Sequence, residues 1–275
     1  MNIQMISAST TMRELQKKLD ILSHNVANVN TSGYKRREAT FQDVLTQNIN
    51  NKTNDETGRI TPEGIRVGHG AKLGLTNLRF EQGSAQATNR ELDFMIEGDG
   101  VWFRTKDSDN NDVYTRDGNF QLLTEGNNLR LVTADGKSIV DTDGNPIQFE
   151  SGFDRIEVSE QGTVNVIYPG NQPSSFQIGL VQIENAQELE AVGGNGFQVR
   201  DGQPVNGQNP NVQAIDLRSN NTVGVRIKQG MLEGSNVDLT KEMTELISTQ
   251  RLLQFQGRSI KIADDMMGLA NSIRG

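Results

Sequence analysis

Cysteine is absent from the 275-residue chain, which excludes disulfide staples, thiolate zinc sites and a cysteine nucleophile together. Histidine is almost absent. His24 and His69 lie on different segments, neither is spaced for a metal pair, and His24 falls on a polar face of a helical pattern. Aromatic residues make up only 5% of the chain, which argues against a compact enzyme with a deep pocket. The 6 prolines and mixed charge argue against a disordered tail. No apolar stretch approaches the roughly 18 residues needed to span a bilayer. The N-terminal run Met1-Asn-Ile-Gln-Met-Ile-Ser-Ala-Ser9 lacks the basic and apolar regions of a cleavable secretory signal. Lys and Arg number 27 against 35 Asp and Glu, and the net charge of -8 argues against a polyanionic partner such as nucleic acid or an anionic membrane. The nucleophile-elbow, phosphate-loop and dinucleotide-binding glycine motifs are missing. No catalytic residue, metal site or cofactor is therefore expected, and the chain reads as a non-enzymatic protein.

What is present divides into helix, β-rich middle and helix. A seven-residue repeat places apolar residues at every a and d position through Met5, Ala8, Met12, Leu15, Leu19, Leu22, Val26 and Val29, the period of a packed amphipathic helix. It stops at Asn28-Val-Asn-Thr-Ser-Gly33, whose short polar side chains and glycine suit a turn. Phe41, Val44, Leu45 and Ile49 fit either a short second helix or an extended segment, and Asn48 to Gly58 reads as an exposed loop. At the other end, Asn236 or Asp238 can cap a helix carrying Leu239, Met243, Leu246, Leu253, Ile260 and Met267. A second stripe on that helix runs through Leu252, Phe255, Ala263, Met266, Ala270 and Ile273. Two apolar stripes need two partners, so self-association is expected.

Between the helices, short apolar or alternating runs are separated by tight-turn dipeptides: Asp99-Gly100, Asp117-Gly118, Asp135-Gly136, Asp143-Gly144, Asn195-Gly196, Asp201-Gly202 and Asn206-Gly207. The expected strands are 93–96, 101–105, 119–123, 129–132, 156–159, 164–168, 176–183 and 222–227. The fold class is α+β: a central antiparallel β domain with long terminal helices packing as a coiled-coil-like stalk. Its expected parts are residues 1–33 as the first stalk helix, 34–72 as a connecting segment and loop, 73–230 as the β domain and 231–275 as the second stalk helix. The acidic window 107–112 lacks the glycine and glutamate that a calcium loop needs, and with Asp141 to Asn145 it reads as a hairpin tip. Asp264 and Asp265 point about 100° apart on a helix and cannot flank one bond. Lys35-Arg36-Arg37 either pairs with acidic neighbours or makes an assembly contact, and Trp102 and Phe103 read as core.

Three segments together resemble the flagellar basal-body rod and hook family. Ala27-Asn-Val-Asn-Thr-Ser-Gly-Tyr-Lys35 looks like its N-terminal signature, with Ser32 where proline is often found. Leu92-Asp-Phe-Met-Ile-Glu-Gly-Asp-Gly-Val-Trp-Phe103 and Tyr114-Thr-Arg-Asp-Gly-Asn-Phe120 look like its central strand motifs. Leu232-Glu-Gly-Ser-Asn-Val-Asp-Leu-Thr-Lys-Glu-Met243 resembles its C-terminal signature, continued by Ile247, Gln250-Arg251 and Asp265-Met-Met267. Here Leu252, Leu253 and Phe255 replace a more usual Ala-aromatic pair.

The resemblance implies a structural subunit whose terminal helices pack into the wall of a hollow axial tube while the β domain faces outward. It also implies export by the flagellar type III apparatus without a cleaved signal, polymerisation at the growing tip, and partners among copies of itself and neighbouring rod and hook proteins. The chain's length and Thr61 to Gly70 look most like a distal rod protein, the alternative being a proximal rod or hook-type axial protein. The expected assembly residues are Met5, Met12, Leu15, Leu19, Leu22, Val26, Leu239, Met243, Leu246, Leu253, Phe255, Ile260 and Met267. Asn28, Thr31, Gly33, Gly98, Gly100, Asp117, Gly118 and Asn236 are the family-motif turn positions. From other classes, a β-rich carbohydrate-active enzyme or an extracellular adhesin would suit the Gly/Asp/Asn-rich middle but would give the heptad no task.

Overall fold

The computed structural model describes residues 2–43, 46–49, 65–68, 71–170, 173–183, 186–199, 212–218 and 224–274. Two long helices flank a large antiparallel β region, and the fold is α+β. The chain forms two compact units, one of residues 1–27, 37–77 and 238–275 and the other of residues 28–36 and 78–237.

The helical unit is built on α1 (Asn2–Ala27) and α2 (Leu239–Arg274), which pack against each other. α2 starts where Asp238 caps it: its carboxylate accepts from the N–H groups of Thr240 at 2.9 Å and Lys241 at 3.2 Å. Asn236, the other candidate cap, is used elsewhere. The segment carrying Phe41 and Ile49 is extended rather than helical. Strand Arg37–Asp43 pairs with Ala71–Leu78, and Thr46–Ile49 runs antiparallel to Ile65–Gly68. Ladder partners and β-branched residues outweigh the apolar spacing there. Val44 and Leu45, most of the Asn48–Gly58 loop and His69 lie outside the described residues, as do the Asp201-Gly202 and Asn206-Gly207 turns. No helix among the described residues is long and apolar enough to cross a membrane.

The β unit centres on a ten-stranded sheet. Strand Val101–Lys106 is its axis, pairing with Asp112–Thr115, Leu180–Ile183 and Ser138–Ile139, all antiparallel. Because successive side chains of a strand point to opposite faces, Val101 and Phe103 enter one core with Phe94, Phe120 and Leu180. Trp102 enters a second core on the opposite face with Tyr114, Val181, Ile183 and Phe197. Burial on both faces explains why Val-Trp-Phe is a continuous apolar run and not an alternating one. Both Trp102 and Phe103 are core residues, as expected. Edge-to-face ring contacts link Phe103 to Phe120 at 5.1 Å and Trp102 to Phe197 at 5.3 Å.

The turns follow their chemistry. Asp141 Oδ1 accepts from the N–H groups of Asp143 and Asn145, both at 2.9 Å, and Asp107 Oδ1 accepts from Ser108 N–H at 2.8 Å. Both acidic clusters are thus hairpin tips. The expected strand 176–183 is two strands, Ser174–Gln177 and Leu180–Ile183. It breaks at Gly179, whose backbone lies against Val140 and Asp141 so closely that a Cβ would come within 2.5–3.0 Å of them. There the chain leaves strand Thr163–Ile167 and joins Val101–Lys106. Strand Met231–Glu233, expected within the C-terminal helix, instead pairs with Ala85–Ala87 and belongs to the β unit.

Gly118 packs flat on the Phe94 carbonyl, and a Cβ there would lie inside that oxygen. The obstacle is backbone, so no rotamer change relieves it. Gly118→Ala is expected to cost about 3 kcal/mol in chemical denaturation. Gly268→Ala, in open space on α2, should be neutral or stabilise by up to about 1 kcal/mol. Equal effects would refute this account of Gly118.

Burial pushes the Asp117 carboxyl up to about 6, aided by the charges of Asp135 and Asp93 and opposed by the hydrogen bond from Asn119 N–H. A raised carboxyl binds its proton more tightly in the folded than in the unfolded chain. Its favourable contribution is therefore fully present below the ordinary carboxylate range and is lost as pH rises toward 6. Asp117→Asn should stabilise the protein by about 1–2 kcal/mol at pH 7, after discounting for partial exposure, and by little at pH 4. Thermal melts at the two pH values test this, and a pH-independent effect would contradict it.

Candidate assembly interface and the motif clasp

The face of α1 turned away from solvent is two adjacent heptads wide, since Ser7, Thr11, Glu14, Lys18, Ile21 and Asn25 are also covered, whereas that of α2 centres on one. On α1 the residues turned away from solvent include Met5, Ala8, Met12, Leu15, Leu19, Leu22 and Val26, with Leu15 and Leu22 buried. On α2 they are Glu242, Leu246, Thr249, Leu253, Gln256, Ile260, Ala263 and Met267, a strict four-three alternation. Leu246, Leu253, Ile260 and Met267 lie on this covered face. The polar positions of this seam are Glu242, Thr249 and Gln256; Gln250 and Asp264 are exposed, and Gly257 lies beside Met12, which a Cβ there would meet at 3.8 Å.

Leu239 and Met243, expected in the seam, are exposed, and so is Phe255, expected on the second stripe. Phe255 belongs to a second heptad of Leu252, Phe255, Ile262, Met266, Leu269 and Ile273, broken only by Ser259. This stripe lies about 100° from the seam around the helix, because it leads it by one residue. Phe255 and Leu269 are each 65% exposed and Ile273 86%. A shallow groove on the same side of α2 is lined by Thr244, Ile247, Ser248, Arg251, Leu252 and Phe255.

One buried polar contact ties the helical unit together. Asn25 is fully buried; its Oδ1 accepts from Arg37 N–H at 3.0 Å and its Nδ2 donates to Arg37 O at 2.8 Å. The same Nδ2 donates to Glu242 Oε2 on α2 at 3.1 Å. A side-chain amide thus pairs with one residue's backbone as a neighbouring strand would.

Within the β unit, the three motif segments converge. Glu233 Oε1 accepts from Lys35 Nζ at 2.7 Å and Gly83 N–H at 2.9 Å, and its Oε2 accepts from Arg116 Nη1 at 3.1 Å. All three charged side chains are 1% exposed. Lys35 Nζ also donates to Glu81 O at 2.9 Å, and Arg116 Nη2 to Gly98 O at 2.7 Å. The Arg116 guanidinium lies 5.5 Å from the Trp102 ring centroid. Burial lowers the proton affinity of both Lys35 and Arg116, and the Glu233 charge opposes that shift in each case.

Backbone contacts complete the clasp. Gly33 N–H donates to Glu233 O at 2.8 Å, and Arg36 N–H to Asn236 Oδ1 at 2.7 Å. Asn236 Nδ2 donates to Arg79 O at 2.8 Å and Glu81 O at 3.1 Å. Gly33, at φ +67°, presses on Arg116 and Asp117 so that a Cβ would meet their backbone at 2.5–2.9 Å.

Of the expected motif positions, Gly33, Gly98 and Asn236 contribute directly to this clasp. Asn28 and Thr31 form the preceding turn, where Thr31 Oγ1 donates to Asn28 Oδ1 at 3.2 Å. Gly100 adopts φ +72° in the turn before Val101. Asp117 and Gly118 follow Arg116. Of the two readings of the basic run, Lys35 pairs internally. Sequence reasoning assigned no role to Glu233, Arg116, Asn25 or Glu242.

Three family models match the chain: "Flagella basal body rod protein" over residues 5–35, "Flagellar hook protein FlgE/F/G D1 domain" over 95–166 and "Flagellar basal body rod FlgEFG protein C-terminal" over 228–273. Over 98% of both chains it is 35% identical to the flagellar hook-basal body complex protein FlhP of Bacillus subtilis. It is 34% identical to the flagellar basal-body rod protein FlgG of Borreliella burgdorferi, over 98% of this chain and 97% of that one. Against FlgG of Agrobacterium fabrum the identity is 33% over 96% of each. Lys35, Arg116 and Glu233 each fall in a different one of the three matched regions, and the chain belongs to the flagellar basal-body rod and hook protein family.

Proposed function

We propose that this chain is a structural, non-enzymatic subunit of the flagellar axial rod that assembles with other copies through its terminal helices. The observation carrying this reading is the second heptad of α2, an apolar stripe of Leu252, Phe255, Ile262, Met266, Leu269 and Ile273 left exposed in the single chain. Continuous apolar surface of this kind marks an interaction face. The partners are further copies and neighbouring rod and hook subunits, with the flagellar type III apparatus as the export route. The similarity to basal-body rod proteins named FlgG supports a rod subunit, and the chain's length with its Thr61 to Gly70 segment supports a distal position. The similarity to FlhP favours, as a second reading, another axial position within the hook-basal body complex. The exposed α2 residues Leu239, Met243 and Phe255 are assigned to contacts between copies. Met5, Met12, Leu15, Leu19, Leu22, Val26, Leu246, Leu253, Ile260 and Met267 hold the helix pair that presents them.

The triple variant Phe255→Gln, Ile262→Gln, Leu269→Gln separates assembly from folding. These side chains are exposed, so the isolated protein should keep its stability within about 0.5 kcal/mol per site. Swimming in soft agar and rod structures beyond the membrane should be lost when the variant is the cell's only copy. Leu22→Ala in the seam should instead cost the isolated chain about 2–4 kcal/mol. Normal motility of the triple variant would refute the assigned interface. Imaging basal bodies from a deletion strain tests position: a rod lacking its outer part and hook supports the distal reading, and an intact rod contradicts it.

A further inference from the structure

The clasp joins residues far apart in sequence, and all of its members lie in the β unit. Lys35 and Glu233 are 198 residues apart, and Arg36 and Asn236 are 200 apart. Residues 33–36 directly follow the segment that leads out of α1, and 233–236 directly precede the start of α2. We infer that the clasp is a reciprocal latch: neither flanking segment stays docked on the β unit unless the other is docked too.

Each segment leaves buried polar groups unpaired when it departs. Without residues 233–236, the buried Lys35 ammonium keeps only the Glu81 carbonyl, Gly33 N–H loses its acceptor and Arg36 N–H loses Asn236 Oδ1. A buried ammonium without its carboxylate is strongly unfavourable, so residues 33–36 move to water instead. Without residues 33–36, Glu233 loses its Lys35 bond, its carbonyl loses Gly33 N–H, and Asn236 loses Arg36. Arg79 and Glu81 bridge the two segments: Arg79 N–H donates to Arg36 O at 2.8 Å while its carbonyl accepts from Asn236 Nδ2, and the Glu81 carbonyl accepts from both Lys35 Nζ and Asn236 Nδ2.

The sequence separation makes the latch close late. In a chain that emerges from its N-terminus, residues 33–36 have no Glu233 to dock against until almost all of the β unit has appeared. Until then the connection to α1 remains hydrated and extended, and the last strand both completes the β unit and fixes the N-terminal connection.

Hydrogen exchange of the full-length protein, read by mass spectrometry, tests the coupling. In Lys35→Met, peptides covering 28–36 and 231–237 should both exchange about 100-fold faster, while a peptide covering Asn128–Thr133 keeps its protection. Asn236→Ala, which leaves the three charges in place, should likewise loosen 33–36 together with 231–237. Faster exchange confined to the substituted segment in either variant overturns the latch. Should Lys35→Met unfold the whole β unit, so that Asn128–Thr133 also loses protection, the Asn236→Ala result decides by the same criterion.

Discussion

One carboxylate constrains the architecture of the β unit. Glu233 is buried between two cations, and its oxygens accept from an ammonium, a guanidinium and a backbone amide. An ion taken from water is tolerated only when its hydrogen-bonding capacity is met in good geometry, and here the donors come from three separate stretches of chain. The glycines follow from this. Three backbones must approach closely enough to share one side chain, and Gly33 and Gly83 stand where a Cβ would strike the neighbouring main chain. Glycine is a requirement of close approach here as much as of turning.

The guanidinium extends the constraint into the sheet. Arg116 reaches Glu233 with one nitrogen and the Gly98 carbonyl with another, beside the Trp102 ring. Trp102 sits on the axis strand, packed on the face opposite Val101 and Phe103. The charged clasp and the second apolar core are thus neighbours through one indole. Apolar residues of similar volume could hold such a site with comparable stability. The ion set adds direction: the Glu233 oxygens fix Lys35, Gly83 and Arg116 each at a hydrogen-bond distance and orientation.

The parts of the fold that depend on local chemistry were legible in the sequence. The α1 heptad, the Asp-Gly and Asn-Gly turns and most strands follow from side-chain period and backbone preference, and the structure places them within a few residues of expectation. The parts that depend on distant partners were not. The stretch around Phe41 has helical spacing yet is a strand, because Ala71–Leu78 offers it a ladder. The boundary at residue 231 grouped Met231–Glu233 with the C-terminal part because nothing local shows that Ala85–Ala87 pairs with it. The clasp escaped for the same reason. Its glycines and Asn236 stood out as motif positions, whereas Lys35, Arg116 and Glu233 are ordinary surface residue types until folding brings them together. On α2, two stripes were visible, but Leu239 and Met243 were placed on the seam and Ala263 on the second stripe, since heptads offset by a single residue share an apolar spacing and differ only in which face meets α1.

That offset matters energetically. The inner α2 heptad carries Glu242, Thr249 and Gln256, and polar residues at seam positions fix register at a cost in burial. Asn25 meets Glu242 there, so the helix pair is specified by a hydrogen bond as well as by packing. From Leu252 to Ile273 the outer heptad is the more apolar, interrupted by Ser259 alone, yet it meets solvent; its earlier positions are Lys241, Glu245 and Ser248. A helix whose better apolar face is the uncovered one gains less from its own chain than its composition allows. In the proposed assembly, that difference gives direction. The inner seam selects one pairing of the chain's ends, and the outer stripe supplies burial only when another subunit arrives, so the stability of α2 rises with occupancy of its neighbours.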